Sequence, residues 1–227
     1  MKHLFLGLLM GSLAGISCKK SDSPAPVAAI KYMSLTNGSS WDYELTNNVP
    51  VAVTTTYRIT STSKDSMINT RQYKVFTNSS GSANEYYHIA GNDYYNFRSL
   101  PAALGGSSVE NIYLKDNVAV GASWNQTYPV TVSGSPLNVT ITNTIAEKGI
   151  SKTVKGITYN DVIHVTTTIA VTIAGTPLPA GALTTDIQSY YARKWGMIQS
   201  IYKISINFAG ITENTDQQTN LNTADIK

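Results

Sequence analysis

The chain is 227 residues long, with 17 Lys and Arg against 14 Asp and Glu, a formal net charge of +3 and charged residues at only 14%. So small a surplus, without a Lys/Arg cluster, excludes the footprint of a nucleic-acid-binding protein. A single cysteine excludes an intramolecular disulfide, and no Cys/His spacing suits a metal, so stability has to come from burial and backbone pairing.

The first element is an address. Met1-Lys2-His3 is a short basic region, and Leu4 to Ile16 is an apolar run with Gly and Ser near its end. It is too short to span about 30 Å of hydrocarbon as a helix, which takes about 20 residues, and it suits the apolar region of a signal peptide. Gly15-Ile16-Ser17 before Cys18 resembles a bacterial lipoprotein signal, with Gly15 where that class usually has a large aliphatic residue. The resemblance implies cleavage before Cys18 and acylation of its thiol and new amine. Several acyl chains on one residue meet the need for more than one anchor in stable membrane attachment. "SCKK" with a Ser/Asp/Pro tether resembles lipoproteins of the Bacteroidota, and Lys19 in place of Asp favours the outer membrane. The alternative is an ordinary secretory signal with a cysteine near the cut. The expected division is a leader over 1–17, a lipidated flexible tether over 18–30 and one β domain over 31–227.

Thr, Ser and Asn are abundant in that domain and Tyr occurs 14 times, which favours strands over helices. Alternating segments run over 51–62, 71–78, 84–97, 111–117, 129–149, 152–175 and 188–210, divided by Gly, Asn, Asp and Pro. "SMINT" (66–70) reads as one hairpin connection and Ala90-Gly91-Asn92-Asp93 as another. The best candidate for a short helix is "SLPAALGG" (99–106), which could equally be a loop. The expected fold is all-β: a single antiparallel, strongly curved sheet, as a half-barrel or open barrel, with at most short helices.

A weak internal repeat sets Gly38 and Trp41 beside Gly121 and Trp124, giving pseudo-repeats over about 35–97 and 118–208. The opening "YMSLTNGSSWDYEL" (32–45) and the late "YYARKWGMIQS" (190–200) resemble many Bacteroidota outer-membrane lipoproteins of unassigned function. Those typically carry an N-terminal G-x-x-W-x-Y motif and a late Y-Y-A-x-x-x-G motif. The resemblance implies a fold of antiparallel strands and no activity.

No G-x-S-x-G, H-E-x-x-H, P-loop, G-x-G-x-x-G or EF-hand loop is present, so neither a catalytic residue nor a cofactor is implied. His88 and His164 read as surface or structural. Asp161, three residues from His164 in a strand, faces the other way and cannot readily orient it. Glu147, Asp161, Asp186 and Glu213 are scattered and read as solvated charges. Trp41, Trp124 and Trp195, each near a Gly, read as core rings covering a close backbone approach. The doublets Tyr86-Tyr87, Tyr94-Tyr95 and Tyr190-Tyr191 send one ring to each sheet face, the outer ones reading as cross-strand pairs before ligand platforms. "DSM" (65–67) matches an Asp-Ser-aliphatic pattern that resembles the Bacteroidota O-glycosylation signal and marks Ser66.

The expected function is a non-enzymatic outer-membrane lipoprotein, held to the membrane by its lipid anchor and binding an apolar ligand, a glycan or an envelope partner. The alternative is a structural or assembly-associated surface lipoprotein without a pocket; an enzyme comes third, and a buried His–acid pair would favour it.

Overall fold

In the computed structural model, residues 30–132, 134–208 and 210–227 are described. The leader over 1–17, Cys18 and nearly all of the tether lie outside them.

The alternating segments become β1 (Ser40–Asn47), β2 (Val53–Ile68), β3 (Arg71–Asn78), β4 (Glu85–Ala90), β5 (Asp93–Ser99) and β6 (Ser108–Lys115). They continue as β7 (Ser123–Val132), β8 (Ser135–Val154), β9 (Ile157–Ile173), β10 (Thr176–Pro177), β11 (Leu183–Ala192), β12 (Gly196–Phe208) and β13 (Ile211–Asp225). The hairpin expected at 66–70 is tighter: β2 continues to Ile68, the link is Asn69-Thr70, and Ser66 pairs with Tyr73 inside the strand. The helix candidate over 99–106 is a single 3-10 turn, Ala102–Leu104, closed by Gly105 N–H to Ala102 C=O at 3.0 Å. β13 answers to none of the expected segments.

All pairings are antiparallel, in the order β6-β5-β4-β3-β2-β1-β13-β12-β11-β9-β8-β7, with β10 beside β9. The sheet is therefore two six-stranded meanders joined where β1 meets β13. Local chemistry fixes the turns. β8 and β9 are linked by Lys155-Gly156 with φ of 50° and 81°, both in the left-handed region that a two-residue type I′ hairpin demands. Along the same hairpin the register shifts between Ile145/Glu147, Lys148/Ile150 and Ile150/Lys152. Each such bulge adds bend and twist, so these long strands curl the sheet towards closure. The two meanders open alike: Gly38 N–H reaches Ser61 C=O (2.9 Å) and Ser61 N–H returns to Ser39 C=O (2.9 Å). At the start of the second, Gly121 N–H reaches Ile145 C=O (2.8 Å) and Ile145 N–H returns to Ala122 C=O (3.0 Å).

The barrel is nearly closed, and the last gap is bridged by side chains. The Gln126 carboxamide accepts from Ile112 N–H at 2.7 Å and donates to Glu110 C=O at 3.3 Å, as a neighbouring strand's peptide group would. Trp124 Nε1 donates to Ile112 C=O at 2.7 Å, and Tyr128 donates to Glu110 C=O. At Glu110 and Ile112 the exposed edge of β6 is thereby satisfied without a backbone ladder.

Two apolar clusters fill the interior. One, around Trp41, Tyr94, Ile163, Tyr191 and Ile198, lies where β1 begins and β13 ends. The other, around Leu104, Leu137, Val139, Ile204 and Ile206, lies at the opposite ends of the same strands. Tyr32 and Met33 pack into the first cluster, and Lys227 N–H donates to Ser39 Oγ at 3.1 Å. Residue 30 and the C-terminus therefore share one end.

Candidate functional site

At the end away from the termini, inward stripes of alternating apolar residues converge: Leu137 from β8, Val171 and Ile173 from β9, Ile206 and Phe208 from β12, and Ile211 from β13. Alternation is what brings them there, since residues two apart in a strand share a face. The 3-10 turn covers the stripes with Ala103 and Leu104, and Leu178, just past β10, closes one side. Between them is a cleft of about 200 Å³, and among the described residues its one polar lining residue is Ser135. The cover is fixed from below: Glu213 Oε2 accepts the Ala103 N–H at 2.8 Å. With about 30 Å³ to each water-sized group, that volume holds roughly six or seven methylene-sized units. A mainly apolar cleft of this size can take a hydrocarbon segment.

The residues singled out by sequence fall elsewhere. Cys18 lies outside the described residues. Ser66 is half-buried in β2, where a turn was expected. Trp41 is fully buried, and its indole N–H donates to Trp195 C=O at 2.7 Å. Trp124 and Trp195 are half-buried against the same cluster. The close approach is real at Gly196, where an added Cβ would stand 3.3 Å from Trp41 Nε1 and 3.3 Å from Met33 Sδ. The Trp of the opening motif thus rests on the Gly of the late one.

Three acidic residues read as solvated are engaged: Glu213, which holds the Ala103 N–H, and Glu147 and Asp161. Glu147 faces His164 across the β8–β9 ladder and accepts its Nδ1–H at 2.9 Å. The imidazole is stacked on Tyr190 (centroids 4.2 Å apart, planes 11°), and Lys152 Nζ lies 3.6 Å from the centre of the Tyr190 ring. His164 Nε2 is buried and has no hydrogen-bond partner among the described residues. The His164 side chain is 11% exposed, with Tyr190 stacked on one face of its ring. Asp161 does turn away from His164: its carboxylate binds Arg193 Nε and accepts Tyr32 O–H at 2.9 Å. Burial works to raise its pKa, but the hydrogen bonds from Arg193 and Tyr32 outweigh it and hold the carboxyl below the usual Asp value. Asp186 accepts from Gln188 at 2.7 Å on the surface. His88 donates Nδ1–H to Gln72 C=O at 2.8 Å, beside Tyr73 and Tyr95. The outer ring Tyr95 lies under the Arg71 guanidinium at 3.9 Å. It is covered by its neighbours, as Tyr190 is, and neither is a free platform.

No protein-family model matches the chain, and no curated protein matches it. Among solved structures it is similar to a "putative lipoprotein" from Parabacteroides distasonis ATCC 8503. That likeness has 13% identity and a TM-score of 0.49, covering 87% of this chain and 99% of that one. It is also similar to a "putative exported protein with YmcC-like fold" from Bacteroides fragilis NCTC 9343. There the identity is 7% and the TM-score 0.48, with the same coverage of 87% and 99%.

Proposed function

We propose that this is a non-enzymatic cell-envelope lipoprotein, anchored through Cys18 at the outer membrane, whose β domain binds an apolar chain. The observation that carries the binding part is the cleft of about 200 Å³, walled by aliphatic side chains and covered by a pinned 3-10 turn. The anchor rests on the residues around Cys18.

Two experiments test it. Metabolic labelling with a palmitate analogue should mark the wild type, while Cys18→Ala should be unlabelled and soluble; an unlabelled wild type removes the anchor. A fluorescent probe carrying a short acyl chain of about six carbons, the length the cleft has room for, should bind the protein saturably. Leu178→Glu, a charge placed at the rim and not in the core, should weaken that binding at least tenfold with melting little changed. Absence of probe binding, or equal binding by the variant, removes the cleft as a site.

A further inference from the structure

A second cavity lies in the other cluster and has a different chemistry. It measures about 70 Å³, and its wall includes the rings of Tyr43, Tyr57, Tyr87, Tyr113 and Tyr191 and the carboxylate of Glu85. Five tyrosines from five strands meet there. Tyr43 is stacked on Tyr57 (5.5 Å, 29°), Tyr113 is tilted against Tyr191 (5.3 Å, 39°), and Tyr87 stands edge-on to Tyr113 (6.1 Å, 84°). Rings set at such different angles enclose the space from several directions, the arrangement that concentrates π-electron density on a cation.

Glu85 makes the wall negative. Its Oε1 accepts from Asn78 Nδ2 at 2.8 Å and its Oε2 from Tyr87 O–H at 2.6 Å. A carboxylate has about four lone-pair sites, so acceptor capacity remains. Among the described residues the lining contains no Lys, Arg or His, and no ion pair includes Glu85. The tyrosines stay neutral and bring no positive charge to answer Glu85. Burial first, then neighbouring negative charge that includes Glu85, raises the pKa of Tyr43, Tyr57 and Tyr87. Tyr57, Glu85, Tyr87 and Asn96 are partly exposed, which gives the chamber its way in, while Tyr43, Tyr113 and Tyr191 form the buried floor.

A cavity of about 70 Å³ holds roughly two water-sized groups. That is room for an ammonium nitrogen and one carbon, and too little for a whole ligand. We propose that the tyrosine chamber binds the terminal alkylammonium group of a larger molecule, with Glu85 as the counter-charge and the rings as its walls. This goes beyond apolar-chain binding and does not rest on it, because the two cavities lie in separate clusters.

The test is a titration of the folded protein with methylammonium chloride, followed by the NMR shifts of the chamber residues at constant ionic strength. Sodium chloride and methanol serve as the cation and neutral-isostere controls. Saturable binding at millimolar concentration is expected, near the ceiling for so few heavy atoms, with no comparable effect from either control. Glu85→Gln keeps the shape and removes the charge, and should weaken binding at least tenfold. Tyr57→Leu, at the half-exposed mouth, should weaken it severalfold and serves if the first variant fails to fold. Absence of saturable methylammonium binding, equal binding of methanol, or unchanged affinity in a folded variant overturns the proposal. With methylammonium binding established, vesicles of phosphatidylethanolamine and phosphatidylglycerol distinguish the source. Preference over phosphatidylglycerol alone assigns the group to a lipid headgroup, and equal binding assigns it to a free amine.

Discussion

Gly196 is the point where the beginning and the end of the fold touch. Its φ is +76°, a region L side chains rarely adopt, and the Trp41 ring and Met33 close on the space a methyl group would fill. Gly196→Ala should therefore cost about 1–3 kcal/mol from backbone conformation alone, read as a fall in the urea midpoint. Trp41→Ala removes a ring with no exposure and a hydrogen bond to Trp195 C=O, and should cost about 3–5 kcal/mol. The sequence pattern treats Trp124 as its equivalent. Half-exposure lowers the expected loss for Trp124→Ala to about 1–3 kcal/mol. Equal losses in chemical denaturation would contradict the difference in burial. Asp161 adds a pH-dependent contact. Its carboxyl titrates below its ordinary value, so the stability it contributes is present above about 3.9 and is lost as pH falls through the lower, folded value. Asp161→Asn keeps a residue that tolerates φ of +53° and removes the charge that holds Arg193. Arg193 in turn holds Ile30 C=O at 2.8 Å. Hydrogen exchange over 30–33 at neutral pH should then quicken in the variant; unchanged protection would show that the ion pair does not dock this segment.

Among the elements, legibility followed apolar alternation. β3 was readable to the residue because Arg71 to Asn78 alternates between turn residues. β13 was not, because its fifteen residues carry only Ile211, Leu221 and Ala224 as apolar positions amid Thr, Asn and Gln. Its place comes from tertiary pairing: β1 on one side and β12 on the other give it ladders along both edges. A chain cut after Phe208 would leave β1 and β12 as two bare edges in the middle of the sheet. Such a truncation should yield no folded monomer by circular dichroism and size-exclusion chromatography, and a native-like spectrum would refute the central role of β13. The Glu147–His164 contact was hidden for a related reason. Three register shifts in one hairpin break the count that predicts which residues face each other. The apolar stripes of the cleft were readable as inward faces, while the 3-10 cover had no periodicity to announce it. The tyrosine chamber draws on β1, β2, β4, β6 and β11, and no local spacing encodes a meeting of five strands.

For the molecule as a whole, the two seams differ in kind. β1 and β13 are joined by a backbone ladder, whereas β6 and β7 are joined through Gln126, Trp124 and Tyr128. Gln126→Ala frees Ile112 N–H and removes one donor from Glu110 C=O. Exchange at Ile112 should accelerate at least tenfold, while β1 amides facing β13 stay protected. Equal protection at Ile112 would mean that the side-chain bridge does not close the gap.

The shared position of residue 30 and Lys227 gives the barrel a polarity along its axis. Any chain leading back to an acylated Cys18 leaves from that end, and the aliphatic mouth opens at the other. With the anchoring and binding proposed above, a tethered molecule of this build would keep its own bilayer behind it and turn the cleft to the aqueous gap. An apolar chain bound as proposed would then arrive from a second surface or a soluble carrier, and the lipids beside the anchor would be the last to find the opening.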